Sequence, residues 1–308
     1  MAKARSFRAV HGWLVLDKPQ GMTSSRAVGA ARRLLEAAKA GHGGTLDPLA
    51  TGVLPIALGE ATKTVAWVMA GMKTYRFTLR WGEARDTDDA EGKLTASSPA
   101  RPSRAAIEAA LPRFTGTLRQ RPPAFSALKL GGERAYDLAR EGEPVELAPR
   151  LVAVESLALL GEPDPDHAVF EAVVGKGTYI RALARDLGEA LGTLAHITAL
   201  RRLSVGRFRA EDAISLDNLA ALGHSAAASG HLLPVETALD DIPALALSEE
   251  EAHRLRCGQA VTPLRPFDRA RIDQLGDGAT VRATTGGKLV AVAEIAAGGI
   301  KPVRVLNL

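Results

Sequence analysis

The 308-residue chain is 46% hydrophobic, enough for one large domain and a small one, and its 39 Lys and Arg against 35 Asp and Glu leave a mild net charge of +4. That charge permits a polyanionic partner, and because residues 240–308 hold nine acids and nine bases, the whole excess falls in residues 1–239. The single cysteine, Cys257, excludes an intramolecular disulfide, no apolar run approaches the roughly 20 residues of a membrane helix, and the basic N-terminus lacks a signal peptide's apolar core, so a cytoplasmic location is expected.

Residues 12–16, Gly-Trp-Leu-Val-Leu, read as a short buried strand. Asp17-Lys18-Pro19-Gln20-Gly21 is a turn, and Thr23, Ser24 and Ser25 offer N-caps to a helix. Ala27, Val28, Ala31, Leu34, Leu35 and Ala38 share one face of that helix, with Arg26, Arg32, Arg33 and Lys39 on the other. A basic helix face is usually just solvated; beside a ligand loop it can reach phosphates.

Residues 41–52, Gly-His-Gly-Gly-Thr-Leu-Asp-Pro-Leu-Ala-Thr-Gly, put four glycines in twelve positions. Glycine lets backbone approach a ligand closely and adopt positive φ. One acid, Asp47, sits in the middle, pushed toward extended geometry by Pro48. An Asp-Pro alone is an ordinary turn or a helix cap. The setting excludes several chemistries. There is no G-x-x-x-x-G-K-[ST] and no strand–G-x-G-x-x-G–helix unit. A phosphatase-type aspartate would want a second acid where Leu49 stands. An aspartic protease would want Asp-Thr/Ser-Gly.

Val53–Gly59 is followed by a helix expected from Glu60 to about Ala70, ended by Gly71. Residues 74–81 alternate, with Tyr75, Phe77, Leu79 and Trp81 on one face, as in a half-buried strand. Asp86–Gly92 fails the EF-hand template and reads as an acidic hairpin loop with no chemistry assigned. A loop over 95–103 leads to a helix from Ser103 to about Leu111. Residues 121–150 are rich in Gly and charge, a surface excursion of helix and loop. Residues 168–174 form a strand that runs through Gly175-Lys176-Gly177-Thr178-Tyr179-Ile180-Arg181 into a helix. The pair Arg201-Arg202, within His196–Leu203, would meet phosphates or close a helix end. Beyond about residue 240 the texture changes to short strands, such as 279–283 and 289–293, with Gly-Gly turns.

Segment 41–52 resembles the catalytic loop of the TruB family, bacterial pseudouridine synthases that act on the T-loop of tRNA. The family pattern G-H-x-G-x-L-D-P-x-A-x-G is met at Gly41, His42, Gly44, Leu46, Asp47, Pro48, Ala50 and Gly52. Gly43 stands where many members carry Thr, a departure that loosens the loop and removes a hydroxyl contact. The Asp-Lys-Pro-x-Gly opening, Lys-x-Tyr at 73–75, Gly-x-Gly-Thr-Tyr-Ile-Arg at 175–181 and Leu-Arg-Arg at 200–202 are similar to the family as well.

The resemblance implies Asp47 as the essential catalytic acid and Tyr75 as the ring packed on the target uracil. Tyr179 and Leu200 would wall the pocket, and His42 would fill or prop the space the base vacates. Arg181 would be the partner of Asp47. A guanidinium at about 4–6 Å favours a charged carboxylate, and a nucleophilic carboxylate must be ionised. Lys18, Lys129, Arg134, Arg201 and Arg202 would contact RNA. The implied fold is α+β: a mixed, mostly antiparallel sheet flanked by helices over residues 1–240, with a small β-barrel PUA-like RNA-binding module over 241–308. Residues 121–150 would be an insertion that closes over the tRNA arm and is mobile without RNA.

The implied reaction isomerises uridine 55 of tRNA after the base leaves its stack. It has no redox change and no net hydrolysis, so it requires no cofactor, and no metal-ligand spacing is present. The expected partner is the tRNA T-arm, bound by a monomer with no membrane and no obligate protein partner. A second acid is missing from the loop, which disfavours paired-carboxylate glycosidase chemistry. Two other readings compete: an RNA-folding chaperone that uses the same pocket, alone or beside catalysis, and a guide-dependent relative of the same fold.

Overall fold

A single mixed sheet organises the molecule. The computed structural model describes residues 8–126, 128–141, 143, 145, 147–223, 226–262 and 265–308, and of residues 129, 134, 136, 137, 140 and 226 the backbone only. The strands run in the spatial order Ile214–Ser215, Gly12–Lys18, Thr51–Leu58, Ala195–Val205, Lys73–Trp81, His167–Val174, Arg150–Asp164 and Gly116–Gln120. The pairings at Leu16↔Ile214 and Arg201↔Thr51 are parallel, and the others along this path are antiparallel.

The expected alternation over 74–81 is present in the strand Lys73–Trp81. Its face with Phe77, Leu79 and Trp81 is buried with Phe170, with Leu183 and Leu187 of the helix Ile180–Ala190, and with Ala27 and Ala31 of the helix Ser24–Leu34. Phe77 and Phe170 stack with ring centroids 5.4 Å apart. The first helix stops at Leu34 rather than Ala38, because Glu36 turns to positive φ (51°) and Ala37 pairs with Arg8. The helix expected over 60–70 is split into a 3-10 turn, Gly59–Lys63, and a short α-helix, Val65–Ala70. At the break the Thr64 hydroxyl donates to the Ala61 carbonyl at 2.8 Å.

Residues 196–203, where a helix end was one expectation, belong instead to the strand Ala195–Val205. Two register shifts, at Ile197/Ala199 and at Arg202/Ser204, break its period of two. In the 121–150 segment, the described part contains the strands Lys129–Leu130 and Glu133–Arg134 and the helix Ala135–Arg140.

The C-terminal sheet runs Ala244–Ala246, Thr280–Thr285, Lys288–Ala296, Gly299–Val305. Leu245, Leu255, Val281, Val290 and Ile300 form its own core. The expected closed barrel is not what the described residues build: the two outer strands do not pair with each other, and only an isolated bridge, Val261↔Ile300, extends one edge. This module is fastened to the large sheet by apolar contact. Leu289, Val292 and Leu306 share a core with Trp13, Val15, Val53, Ala57 and Phe208.

This topology converges the functional segments. Residues 43–50 enter the strand Thr51–Leu58, whose first residues lie beside Arg201 and Arg202. The helix Ile180–Ala190 returns from the Val174 end of a neighbouring strand. Asp47 and Arg181 therefore meet across 134 residues of sequence.

Candidate active site

The loop that carries Asp47 is clamped from three directions. Ser24 Oγ accepts from the Leu46 amide at 2.8 Å and donates to the Leu46 carbonyl at 2.9 Å. Thr23, not Ser24, is the helix cap, which leaves Ser24 for this task. Lys18 Nζ donates to the carbonyls of Pro19 (2.9 Å), Met22 (2.7 Å) and Pro48 (3.3 Å). Arg202 donates Nη2 to Gly44 O (2.9 Å), Nη1 to Thr45 O (3.2 Å) and Nε to Val53 O (2.8 Å). At Gly52, φ is +99° and a Cβ would collide with the Arg202 carbonyl, so the turn requires glycine there.

Asp47 Oδ2 accepts from Arg181 Nε at 2.9 Å. Arg181 is 5% exposed and spends its remaining donors on carbonyls, Nη1 on Thr87 (2.7 Å) and Nη2 on Phe125 (2.9 Å). Asp89, 3% exposed, puts a second carboxylate 3.6 Å from Arg181 Nε. A guanidinium held by four partners on three segments has one orientation, and that orientation fixes the Asp47 oxygen it binds. Asp47 borders a cavity of about 280 Å³ whose wall also includes Lys73, Tyr75, Tyr179, Arg181, Leu200 and Arg202. That volume is near the lower end for small-ligand pockets, about 300–1,000 Å³, and suits a single nucleoside.

Tyr179 is positioned through its backbone. Its amide donates to Gln120 Oε1 at 2.8 Å, and Gln120 Nε2 donates to its carbonyl at 3.1 Å. Burial pushes the Tyr179 phenol up from its ordinary value, so it stays neutral. Lys73 Nζ donates to Met69 O (2.6 Å) and Gly71 O (2.5 Å). Burial, reinforced by the Arg202 and Lys176 charges, lowers Lys73 to about 8.

The expected site residues separate into groups. Asp47, Tyr75, Tyr179, Arg181 and Leu200 line one cavity. His42 does not line it; its Nδ1 accepts from the Gly44 amide at 3.4 Å, and burial together with Arg202 lowers its pKa, favouring neutral imidazole. Lys18 and Arg202, expected as RNA contacts, lie inside the protein, Arg202 at the wall of the cavity. They are 0% and 1% exposed, and their donors face the carbonyls of the catalytic loop and its neighbours. Arg201 reaches solvent but is held by a bidentate pair with Asp17 (3.0 and 2.9 Å). The side chains of Lys129 and Arg134 lie outside the described residues. Asp89, Gln120 and Ser24 were missed as site residues. The one local hint was the density of acids over 86–91, four in six positions.

The fold is that of the pseudouridine synthases. The chain superposes with a TM-score of 0.71 and 25% identity on a chain in the crystal structure of the archaeal box H/ACA sRNP Nop10–Cbf5 complex, covering 96% of this chain and 86% of that one. A chain in a Cbf5–Nop10–Gar1 complex gives 0.72 and 26%, covering 96% and 84%. Residues 32–180 match the TruB family pseudouridylate synthase N-terminal domain, and residues 181–240 match the tRNA pseudouridylate synthase B C-terminal domain. The tRNA pseudouridine synthase B of Bradyrhizobium diazoefficiens is 59% identical over 99% of this chain and 88% of its own length. That of Rhodospirillum rubrum is 55% identical over 100% of both. The chain belongs to the TruB family of pseudouridylate synthases.

Proposed function

We propose that the protein isomerises uridine 55 in the T-loop of tRNA to pseudouridine, with Asp47 as its catalytic carboxylate. The observation that carries this reading is one acid, bound to a buried guanidinium at 2.9 Å, at the wall of a nucleoside-sized cavity with two tyrosines. The relatives named tRNA pseudouridine synthase B support the choice of RNA.

The uridine leaves its stack at a cost of a few kcal/mol, offset by contact with aromatic and apolar walls. Tyr75, Tyr179 and Leu200 supply those walls. The C1′–N1 bond breaks, the uracil turns, and C1′ joins C5. N1 gains a proton and the C5 proton goes to solvent, so atoms and electrons balance without a cofactor. Three steps suit a single carboxylate: attack at C1′, attack on the ring, or removal of a sugar proton. The work of Arg181 is to hold Asp47 through a fixed, planar guanidinium.

In this reading residues 1–240 are the catalytic part, residues 121–150 close on the T-arm, and residues 241–308 are a PUA-like module that adds RNA contact. The enzyme acts as a monomer on bare tRNA. The test is release of tritium from [5-³H]uracil in an unmodified tRNA transcript, with no other protein present. Release of one tritium per tRNA is expected. No release without added proteins or guide RNA would favour a guided relative.

A further inference from the structure

Arg181 and Arg185 are four residues apart on the helix Ile180–Ala190 and project from one face. Both guanidiniums bridge the same two segments. Arg181 links Thr87 O to Phe125 O, at 2.7 and 2.9 Å, while holding Asp47. One turn further on, Arg185 donates Nη1 to Asp88 Oδ2 at 2.9 Å and Nη2 to Arg121 O at 2.8 Å. Asp186 Oδ1 braces this second guanidinium, accepting from Nε at 3.0 Å and Nη2 at 2.7 Å. The acidic hairpin and the leg 121–126 are therefore tied together twice, and Arg185 does not border the Asp47 cavity.

The two ties are mechanically connected. Arg121 and Phe125 are joined through Pro122-Pro123, both buried, with φ fixed by their rings. A shift of the Arg121 carbonyl is carried to the Phe125 carbonyl, and from there to Arg181. On its Arg185 side the leg borders open space rather than packed side chains. Asp86, Asp88, Arg121, Leu147 and Arg185 line a second cavity of about 390 Å³, so on this side the leg is held by the hydrogen bond of Arg185 to Arg121 O. The far side of that cavity includes Val145 and Leu147, from the other end of the 121–150 segment.

We propose that Arg185 is a positioning residue: it seats the base of the 121–150 segment and thereby couples the engagement of that segment with RNA to the alignment of Arg181 and Asp47. A planar fork is needed, because it meets a carboxylate and a carbonyl at a fixed separation; lysine offers a single point charge. The inference rests on the reading of the chain as a tRNA pseudouridine synthase.

The experiment uses Arg185→Lys, which keeps the charge facing Asp88 but loses the fork, and Pro122→Gly, which leaves both guanidiniums and slackens the link between them. Single-turnover tritium release at saturating tRNA, tRNA affinity and thermal midpoint are measured for parent and variants. The expected result is a rate lower on the order of 10- to 100-fold in either variant, with affinity and midpoint kept. A parental rate in both variants overturns the inference. So does a rate that falls only in step with the midpoint, since that is a purely structural tie. An inactive parent overturns the activity reading together with this one, whereas an active parent with unaffected variants overturns this one alone.

Discussion

Arg202 donates to the Gly44 carbonyl at 2.9 Å from a position that is 1% exposed, so the arginine supports the catalytic loop from inside the protein. Its donors serve three loop and strand carbonyls, and Nη1 also reaches the Tyr75 hydroxyl at 3.4 Å. Arg202→Ala strands those acceptors and removes a large buried side chain. Chemical denaturation should show a loss of about 3–5 kcal/mol. The dependence of tRNA binding on salt should keep its slope, whereas removing a phosphate contact would reduce it by about 1.

Gly43 is held rather than loosened. Its amide donates to Pro55 O at 2.8 Å, and a Cβ at this position would lie 2.6 Å from Val68 Cγ1. Val68 fills the room that a threonine would occupy, so the departure from the family pattern comes with its own compensation. Gly43→Thr is expected to destabilise by about 1–3 kcal/mol through overpacking. Adding Val68→Ala should recover part of that loss. Urea midpoints of the four-member cycle check it; strictly additive effects would mean that the two positions do not share this space.

Lys18 ties the turn 19–22 to Pro48, one residue from Asp47. Lys18→Met keeps the stem and removes three donors. Tritium-release kinetics should slow on the order of 10-fold as Asp47 loses its fixed backbone. Affinity for tRNA should stay at the parental value in a filter-binding titration. A weaker complex with an unchanged rate would restore Lys18 to the RNA surface.

Lys73 makes stability depend on pH in a defined direction. Its folded-state value of about 8 lies below the ordinary 10.5, so the folded chain binds fewer protons than the unfolded chain between those limits. The penalty of burying the ammonium is present in full below pH 8 and is relieved as pH rises toward 10.5. Lys18, also lowered to about 8, acts with the same sign. Between pH 7.5 and 9.5 the denaturation midpoint of the parent should therefore rise relative to that of Lys73→Met. Parallel curves would contradict the assignment.

Some of this was legible in the chain and some was not, for physical reasons. The strand 73–81 shows in the sequence because one face packs on the core and the other does not, which writes a period of two. The strand 195–205 carries two register shifts that erase that period, so its arginine pair read as a helix end or a phosphate clamp. Asp47 and Arg181 stood out only through the two motifs that contain them, since nothing local joins residues 134 apart. The bonds of Arg181 to Thr87 and Phe125 span 94 and 56 residues and end on carbonyls, which carry no residue signature. Lysine and arginine types in a basic protein invite a nucleic-acid reading; only burial reveals that Lys18 and Arg202 point inward. The C-terminal strands were visible from their glycine turns, but barrel closure depends on pairings that turns alone do not specify.

The role of Asp47 is tested most directly by Asp47→Asn, which keeps the side chain's shape and one acceptor for Arg181 while removing the charge. With unmodified tRNA labelled at C5 of uracil, the variant is expected to bind as tightly as the parent and to release no tritium. Release at the parental rate from a tightly bound complex would contradict the assignment of this carboxylate as the group on which the isomerisation depends.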